Sequence, residues 1–361
     1  MTLRLGISKD ADMAVLFFPF EAGWVDPPNG TSLISKPLAD LEKDLLEGAL
    51  DVAPVSPVTY ARNYSRLRLL PTPVRAFDLA ADSVFLFSRK RLDFIDQVKV
   101  AVSPNSSLGE AILQIIAPKY YGITPEIVYS PSEAAALEAL QGQTEVSIVS
   151  GEAAMRAAGW AKAKGYFVED LTKAWWIMTG LPLPVYLFAV RQEWTVQEPD
   201  AVGKIRSLML AFRRAIQYSQ EQRPTLLQRL EQQTGLPEDA LDAHYRAQRY
   251  DINESHLRGL LEFYRRAAAA RIFTAPDDLA FFPALSPLAP APSGPPRRNQ
   301  PEAERPQSSG EQRPRPVRKE KENRPARPNP SRREEAQAKG LRVIKGGKDT
   351  SNHDDEDSTE E

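Results

Sequence analysis

Two stretches decide how this chain folds: SVFLFSRKR (83–91) and PLPVYLFAVRQEW (182–194). Each runs from an apolar segment through Leu-Phe-Ser or Leu-Phe-Ala into Arg, and each has the length of a buried strand. Around them lie LRLGI (3–7), ALDVAPV (49–55), VKVAVS (98–103), EIVYS (126–130) and EVSIVS (145–150), bounded by Pro, Ser and Gly. Runs of this kind suit a mostly parallel sheet covered on both faces. Helical patterns alternate with them over 37–48, 107–121 and 131–142. Ser107 with Glu110, and Ser130 with Pro131 and Glu133, have the spacing of helix-start capping boxes. From about Pro199 the pattern is purely helical. The order predicts an α/β fold of two lobes, residues 1–88 plus 190–282 in one and 89–189 in the other. The two opening stretches cross between them. Strand ends and helix starts would then line an interlobe cleft suited to a small anion.

Composition narrows the chemistry. The 361 residues contain no Cys, which excludes thiolate metal sites, disulfides and cysteine nucleophiles, and three His (His244, His256 and His353), which speak against a multi-histidine metal centre. No apolar run approaches the ~18–20 residues that cross a bilayer. The opening MTLRLGISKDADM places Asp10 and Asp12 where an export signal would be apolar, so a cytoplasmic protein without a membrane partner is expected. Beyond Phe282 the character changes to Pro, Arg, Glu, Ser and Gln. Residues 297–348 carry 16 Lys and Arg against 7 Asp and Glu, and residues 349–361 carry 7 acidic groups and no basic one. Such a segment, 283–361, reads as a disordered tail, and nucleic acid could be contacted only through its basic part.

Four collinear stretches resemble one family. EGALDVAPVSPVTYARNYSRLRLLP (47–71), DSVFLFSR (82–89), VEDLTKAWWIMTGLPLPVYLFAVRQEW (168–194) and HYRAQRYDINESHLRGLLEFYRRAAAARI (244–272) are similar, in order, to segments of the MqnA family. Its members are the chorismate dehydratases of futalosine-dependent menaquinone synthesis. The TGLP turn with its aromatic run is the most specific match. The resemblance implies a fold like that of type II periplasmic binding proteins, no metal or organic cofactor, and a small dicarboxylate substrate. The reaction implied is loss of water from chorismate to give 3-[(1-carboxyvinyl)oxy]benzoate. Two other readings stay open: a catalytically altered paralogue that binds a small carboxylate, and a lyase acting on another intermediate, as the related MqnD family does.

Carried over residue by residue, the resemblance puts Asp12 at the family's substrate-facing Asn and Ser83 at the Ser of its "GSVLLFS" motif. Ser56 takes the first Ser of "VSSIEYA", with Pro57 replacing the second. SSLG keeps Ser106 where the family has "SxTS", with Leu108 and Gly109 replacing Thr and Ser. Glu152 stands at the Asp of "IGDEAL". The implied roles are Ser83, Ser56, Ser106 and Ser107 in holding substrate and Glu152 and Asp12 in catalysis. The base is Glu152, Asp12 or the substrate's own enolpyruvyl carboxylate. A dianionic substrate at ~4 Å from Asp12 would be repelled by roughly 4 kcal/mol at an effective dielectric near 20. Asp12 must therefore be protonated or paired, with Lys9, Arg62 or Arg75 as the partner. Ser106 and Ser107 also fit as caps of the following helix. Trp175, Trp176 and Met178 fit core or hinge packing, and His244 and His256 fit ordinary surface or core positions.

Overall fold

The computed structural model describes residues 2–92, 98–274, 276 and 278–283. Twelve strands follow in chain order: β1 (Leu3–Ile7), β2 (Thr31–Ser35), β3 (Val52–Val55), β4 (Leu67–Leu69), β5 (Ala76–Phe77), β6 (Val84–Ser88), β7 (Lys99–Val102), β8 (Glu126–Tyr129), β9 (Val146–Ser150), β10 (Phe167–Asp170), β11 (Leu187–Arg191) and β12 (Gln248–Arg249). Two five-stranded sheets result, in the orders β2-β1-β3-β11-β4 and β10-β6-β9-β7-β8, while β5 and β12 form a separate pair. The fold is a two-lobed, periplasmic-binding-protein-like α/β architecture with a cleft between the sheets.

Each sheet is mixed rather than mostly parallel. β1 runs parallel to β2 and β3, and β7 to β8 and β9. The two crossing strands enter antiparallel: β11 against β3 and β4, β6 against β9 and β10. A chain that leaves one lobe and returns must insert its crossing strands in reverse, which is what breaks the parallel pattern. The strand at 84–88, expected to close the first lobe, pairs inside the second sheet. Alternation along β6 shows why Val84 to Phe87 are all apolar. Val84 and Leu86 join the large core that continues into the first sheet, while Phe85 and Phe87 pack on the opposite face against Ala136, Leu140 and Ala157.

Helix boundaries shift locally. Ser132, not Ser130, caps the helix Glu133–Ala139, its hydroxyl accepting from the Ala135 N–H at 3.1 Å. Ser56 caps Pro57–Arg62 with Pro57 in the first turn. The helical run after residue 199 holds as Ala201–Glu221, Arg223–Thr234, Glu238–Ala247 and Glu254–Ala269, interrupted by the short β12. Trp175 is fully buried, whereas Trp176 is 38% exposed. No helix of the described residues is long and apolar enough to cross a membrane. Apart from Pro283, the tail expected from 283 onward lies outside the described residues.

Candidate functional site between the lobes

The topology brings the polar residues together. β1, β3, β7 and β9 deliver Ser8–Asp10, Ser56, Ser103–Ser106 and Gly151–Glu152 directly after their C-terminal ends. β6 runs against β9 with Val84 opposite Ser150, so Ser83, just before β6, reaches the same end. Tyr186 arrives equivalently, because Leu187 pairs with Val55. A cleft of about 580 Å³ opens there, lined among others by Ser8, Asp10, Asn105, Ser150, Glu152 and Arg156. Ligands of α/β folds collect at strand ends of this kind.

Asp12 lies behind the cleft, 1% exposed, in the short turn Ala11–Met13. Its Oδ1 accepts from Nη2 of the fully buried Arg75 and meets His244 Nε2 at 2.7 Å. The same Arg75 Nη2 donates to Ser83 Oγ at 2.7 Å, so one guanidinium joins Asp12 to Ser83. Gln248 Nε2 donates to the Asp12 carbonyl at 3.2 Å. Of the three cations considered for Asp12, Arg75 is the partner. The Phe77 and Tyr186 rings flank it at 5.0 and 5.7 Å from the guanidinium carbon. Its Nε and Nη1, like Asp12 Oδ2, have no hydrogen-bond partner among the described residues. Two charges this deep are tolerated only as a pair.

A row of linked serine hydroxyls follows the ends of β7 and β9. Ser103 and Ser106 lie 2.8 Å apart, and Ser106 Oγ donates to Ser150 Oγ at 3.0 Å. Ser106 occupies the N-cap position of the helix Ser107–Tyr120, yet its side chain makes no capping hydrogen bond. It is drawn to the neighbouring serines instead, which corrects the capping expectation. Ser107 Oγ reaches across the lobes to Ser56 Oγ at 3.1 Å. The next two helix positions are closely packed. Leu108 is buried in the core, and a Cβ on Gly109 would stand 2.8 Å from Ile148.

Glu152 opens the helix Glu152–Ala163 and spans the cleft mouth. Its Oε2 accepts from the Ala11 N–H at 3.2 Å, and its Oε1 accepts from Arg156. Asp10, which sequence reasoning missed as a site residue, stands at the centre. Its Oδ1 accepts from the Asp12 and Glu152 N–H groups at 2.9 and 3.2 Å. Burial, then the nearby Asp12 charge, pushes the Asp10 carboxyl up to about 7. Gly151 accommodates it: at φ +74° a side chain is strained, and a Cβ would lie 2.8 Å from Asp10 Oδ2. Of the six residues inferred from the sequence, Glu152 lines the cleft, whereas Asp12, Ser56, Ser83 and Ser106 are buried. Hydrogen bonds link Asp12 to Ser83 through Arg75, Ser56 to Ser107, Ser106 to Ser150, and Glu152 to Asp10. The pattern Lys9-Asp10-Ala11-Asp12 directly after a strand was the available signal for Asp10.

A family model described as menaquinone biosynthesis matches residues 3–269. The chain belongs to that family. Protein AF1704 from Archaeoglobus fulgidus superposes on it with a TM-score of 0.62 at 18% identity, covering 75% of this chain and 98% of AF1704. The periplasmic aliphatic sulphonate binding protein SsuA from Escherichia coli is also similar in fold, with a TM-score of 0.55 at 16% identity, covering 75% of this chain and 87% of SsuA. The alkanesulfonate-binding SsuA from Xanthomonas axonopodis pv. citri, bound to MOPS, gives 0.55 at 15% identity over 78% and 96% of the two chains. At these identities the solved structures speak for the fold. The menaquinone-biosynthesis family supplies the pathway.

Proposed function

We propose that this member of the menaquinone-biosynthesis family dehydrates chorismate to 3-[(1-carboxyvinyl)oxy]benzoate in the cytoplasm. The observation that carries the reading is an interlobe cleft lined by Asp10, whose carboxyl burial pushes up to about 7, with linked serine hydroxyls at the neighbouring strand ends. Chorismate carries two carboxylates, and a site for it needs N–H and O–H donors rather than further negative charge. Ser56, Ser83, Ser106 and Ser107 supply hydroxyls. Arg75 cancels the Asp12 charge and keeps two N–H groups uncommitted.

The reaction removes the proton from the ether-bearing ring carbon and the hydroxyl from its neighbour, and aromaticity drives it. In this reading Asp10 is the acid. A carboxyl raised by burial holds its proton toward neutral pH and can donate it to convert departing hydroxide into water. Asp12 and Glu152 are poor bases here: Asp12 is buried and ion-paired with Arg75, and Arg156 and the Ala11 N–H engage both Glu152 oxygens. The ring proton passes instead to the substrate's enolpyruvyl carboxylate and from there returns to Asp10. Donors aimed at the ring carboxylate stabilise the charge that develops as the proton leaves.

Turnover is read as the rise of aromatic absorbance from chorismate. The wild-type protein should give it, and Asp10→Asn should lower kcat by about 10²-fold. A variant at wild-type kcat would remove Asp10 from the mechanism. One observation favours a second reading, a binding protein for a small carboxylate: an internal ion pair fills the floor where the family has a neutral Asn. Chorismate that raises the melting temperature without being consumed would establish that alternative.

A further inference from the structure

A chain of hydroxyls leads out of the site to a carboxyl that the reaction does not use. Glu42, on the helix Leu38–Glu47, turns its carboxyl toward the start of the helix Pro57–Arg62. Its Oε1 accepts from the Ser56 N–H, and its Oε2 accepts from Thr59 Oγ1 at 2.6 Å. Ser56 Oγ lies 3.0 Å from Thr59 Oγ1 and takes the Thr59 N–H at 3.0 Å. Ser107 Oγ closes the series from the other lobe at 3.1 Å from Ser56 Oγ.

Counting hydrogens fixes the direction. Each hydroxyl has one hydrogen and an ionised carboxylate has none. With Glu42 ionised, Thr59 must donate to it, Ser56 must donate to Thr59, and Ser107 must donate to Ser56. Ser107 is then left only lone pairs for a further partner, and these repel a carboxylate. With Glu42 protonated, its O–H donates to Thr59 and the whole series reverses, freeing the Ser107 hydrogen for an anion.

We propose that Glu42 is a positioning residue whose protonation sets the direction of the Thr59–Ser56–Ser107 chain, so that binding of an anionic ligand takes up a proton about two side chains away from the cleft. The inference rests on the reading above in assigning Ser107 to a substrate carboxylate. Burial raises the Glu42 carboxyl above its ordinary range, against the pull of Thr59 and Ser56. Its charged surroundings are otherwise committed. Tyr186, which feels the Glu42 charge, is itself pushed far up by burial. Arg62 on the neighbouring helix lies over the Phe273 ring, Arg4 of β1 binds Asp51, and Arg191 of β11 binds Asp51 and Glu193. β3 bears no charge, and Glu110 on the Ser107 helix is held by Tyr129 and Gln114.

The test is calorimetric titration with 3-[(1-carboxyvinyl)oxy]benzoate from pH 5.5 to 8.5, alongside chorismate turnover. In the wild type, affinity should be level below the Glu42 pKa and fall by up to about tenfold per pH unit above it. Asp10→Asn should keep a slope, because Asp10 is not in the chain. In the Asp10→Asn background, Glu42→Gln places an amide donor against Thr59 and should bind tightly with no slope. In the same background, Thr59→Val cuts the chain and should flatten the slope with the carboxyl still present. In turnover, Glu42→Gln should change the pH dependence of KM and leave that of kcat. A wild-type profile without slope, or a Glu42→Gln protein that binds uniformly more weakly with the wild-type slope, overturns the proposal. Sloped binding without turnover supports it and contradicts the dehydratase reading alone.

Discussion

Asp12 and Arg75 show how a deeply buried carboxylate is held. The two side chains are 1% and 0% exposed, and the bridge between them also holds Ser83 and His244. Removing one partner leaves an uncompensated buried charge, so Arg75→Met should destabilise by about 3–5 kcal/mol in urea melts. The double change Asp12→Asn with Arg75→Met should cost less than Arg75→Met alone, because the stranded charge goes too. A second residue-scale effect belongs to Asp10. Its folded pKa, about 7, lies above its ordinary 3.8, so the folded state holds the proton more tightly. The resulting penalty is absent below about pH 4, grows as pH rises to 7 and is then constant. The melting-temperature gain of Asp10→Asn should follow that course, measured from pH 4 to 8.

At the scale of elements, the apolar runs were readable because burial on both faces writes itself as continuous hydrophobicity, as in VAPV of β3 and VFLFS of β6. The helix Ala14–Glu21 was not, since buried residues surround it and no amphipathic period appears. β2 and β10 were equally silent, being half-exposed edge strands of mixed character. The serines and Asp12 were legible through motif resemblance, whereas the importance of Asp10 arises from Asp12 and from Glu152, which lies 142 positions along the chain. Tertiary proximity of that kind leaves no local pattern. The turn between β9 and the Glu152 helix carries the sharpest element-scale prediction. Gly151→Ala combines a positive φ with a clash at Asp10, so it should lower thermal stability and reduce kcat together, and Asp10→Asn should not restore it.

Across the whole molecule, the lobes are joined by polar contacts that close over the floor: Ser107 to Ser56, Ala11 to Glu152, and Glu152 to Asp10. The last described residues also finish the first sheet. Phe281 bridges Leu69 on the β4 edge, and the Ala280 N–H donates to Tyr60 Oη at 3.1 Å. Truncation after residue 283 should therefore leave melting temperature and kcat unchanged, while truncation before 278 should lower both by uncovering β4. The family match ends at 269, so this boundary is drawn by sheet pairing. What the assembled cleft does is decided most directly by proton NMR of chorismate incubated with the full-length protein. New aromatic signals with the enolpyruvyl vinyl protons retained and no free pyruvate are expected. Unchanged chorismate, or release of pyruvate, would contradict the account.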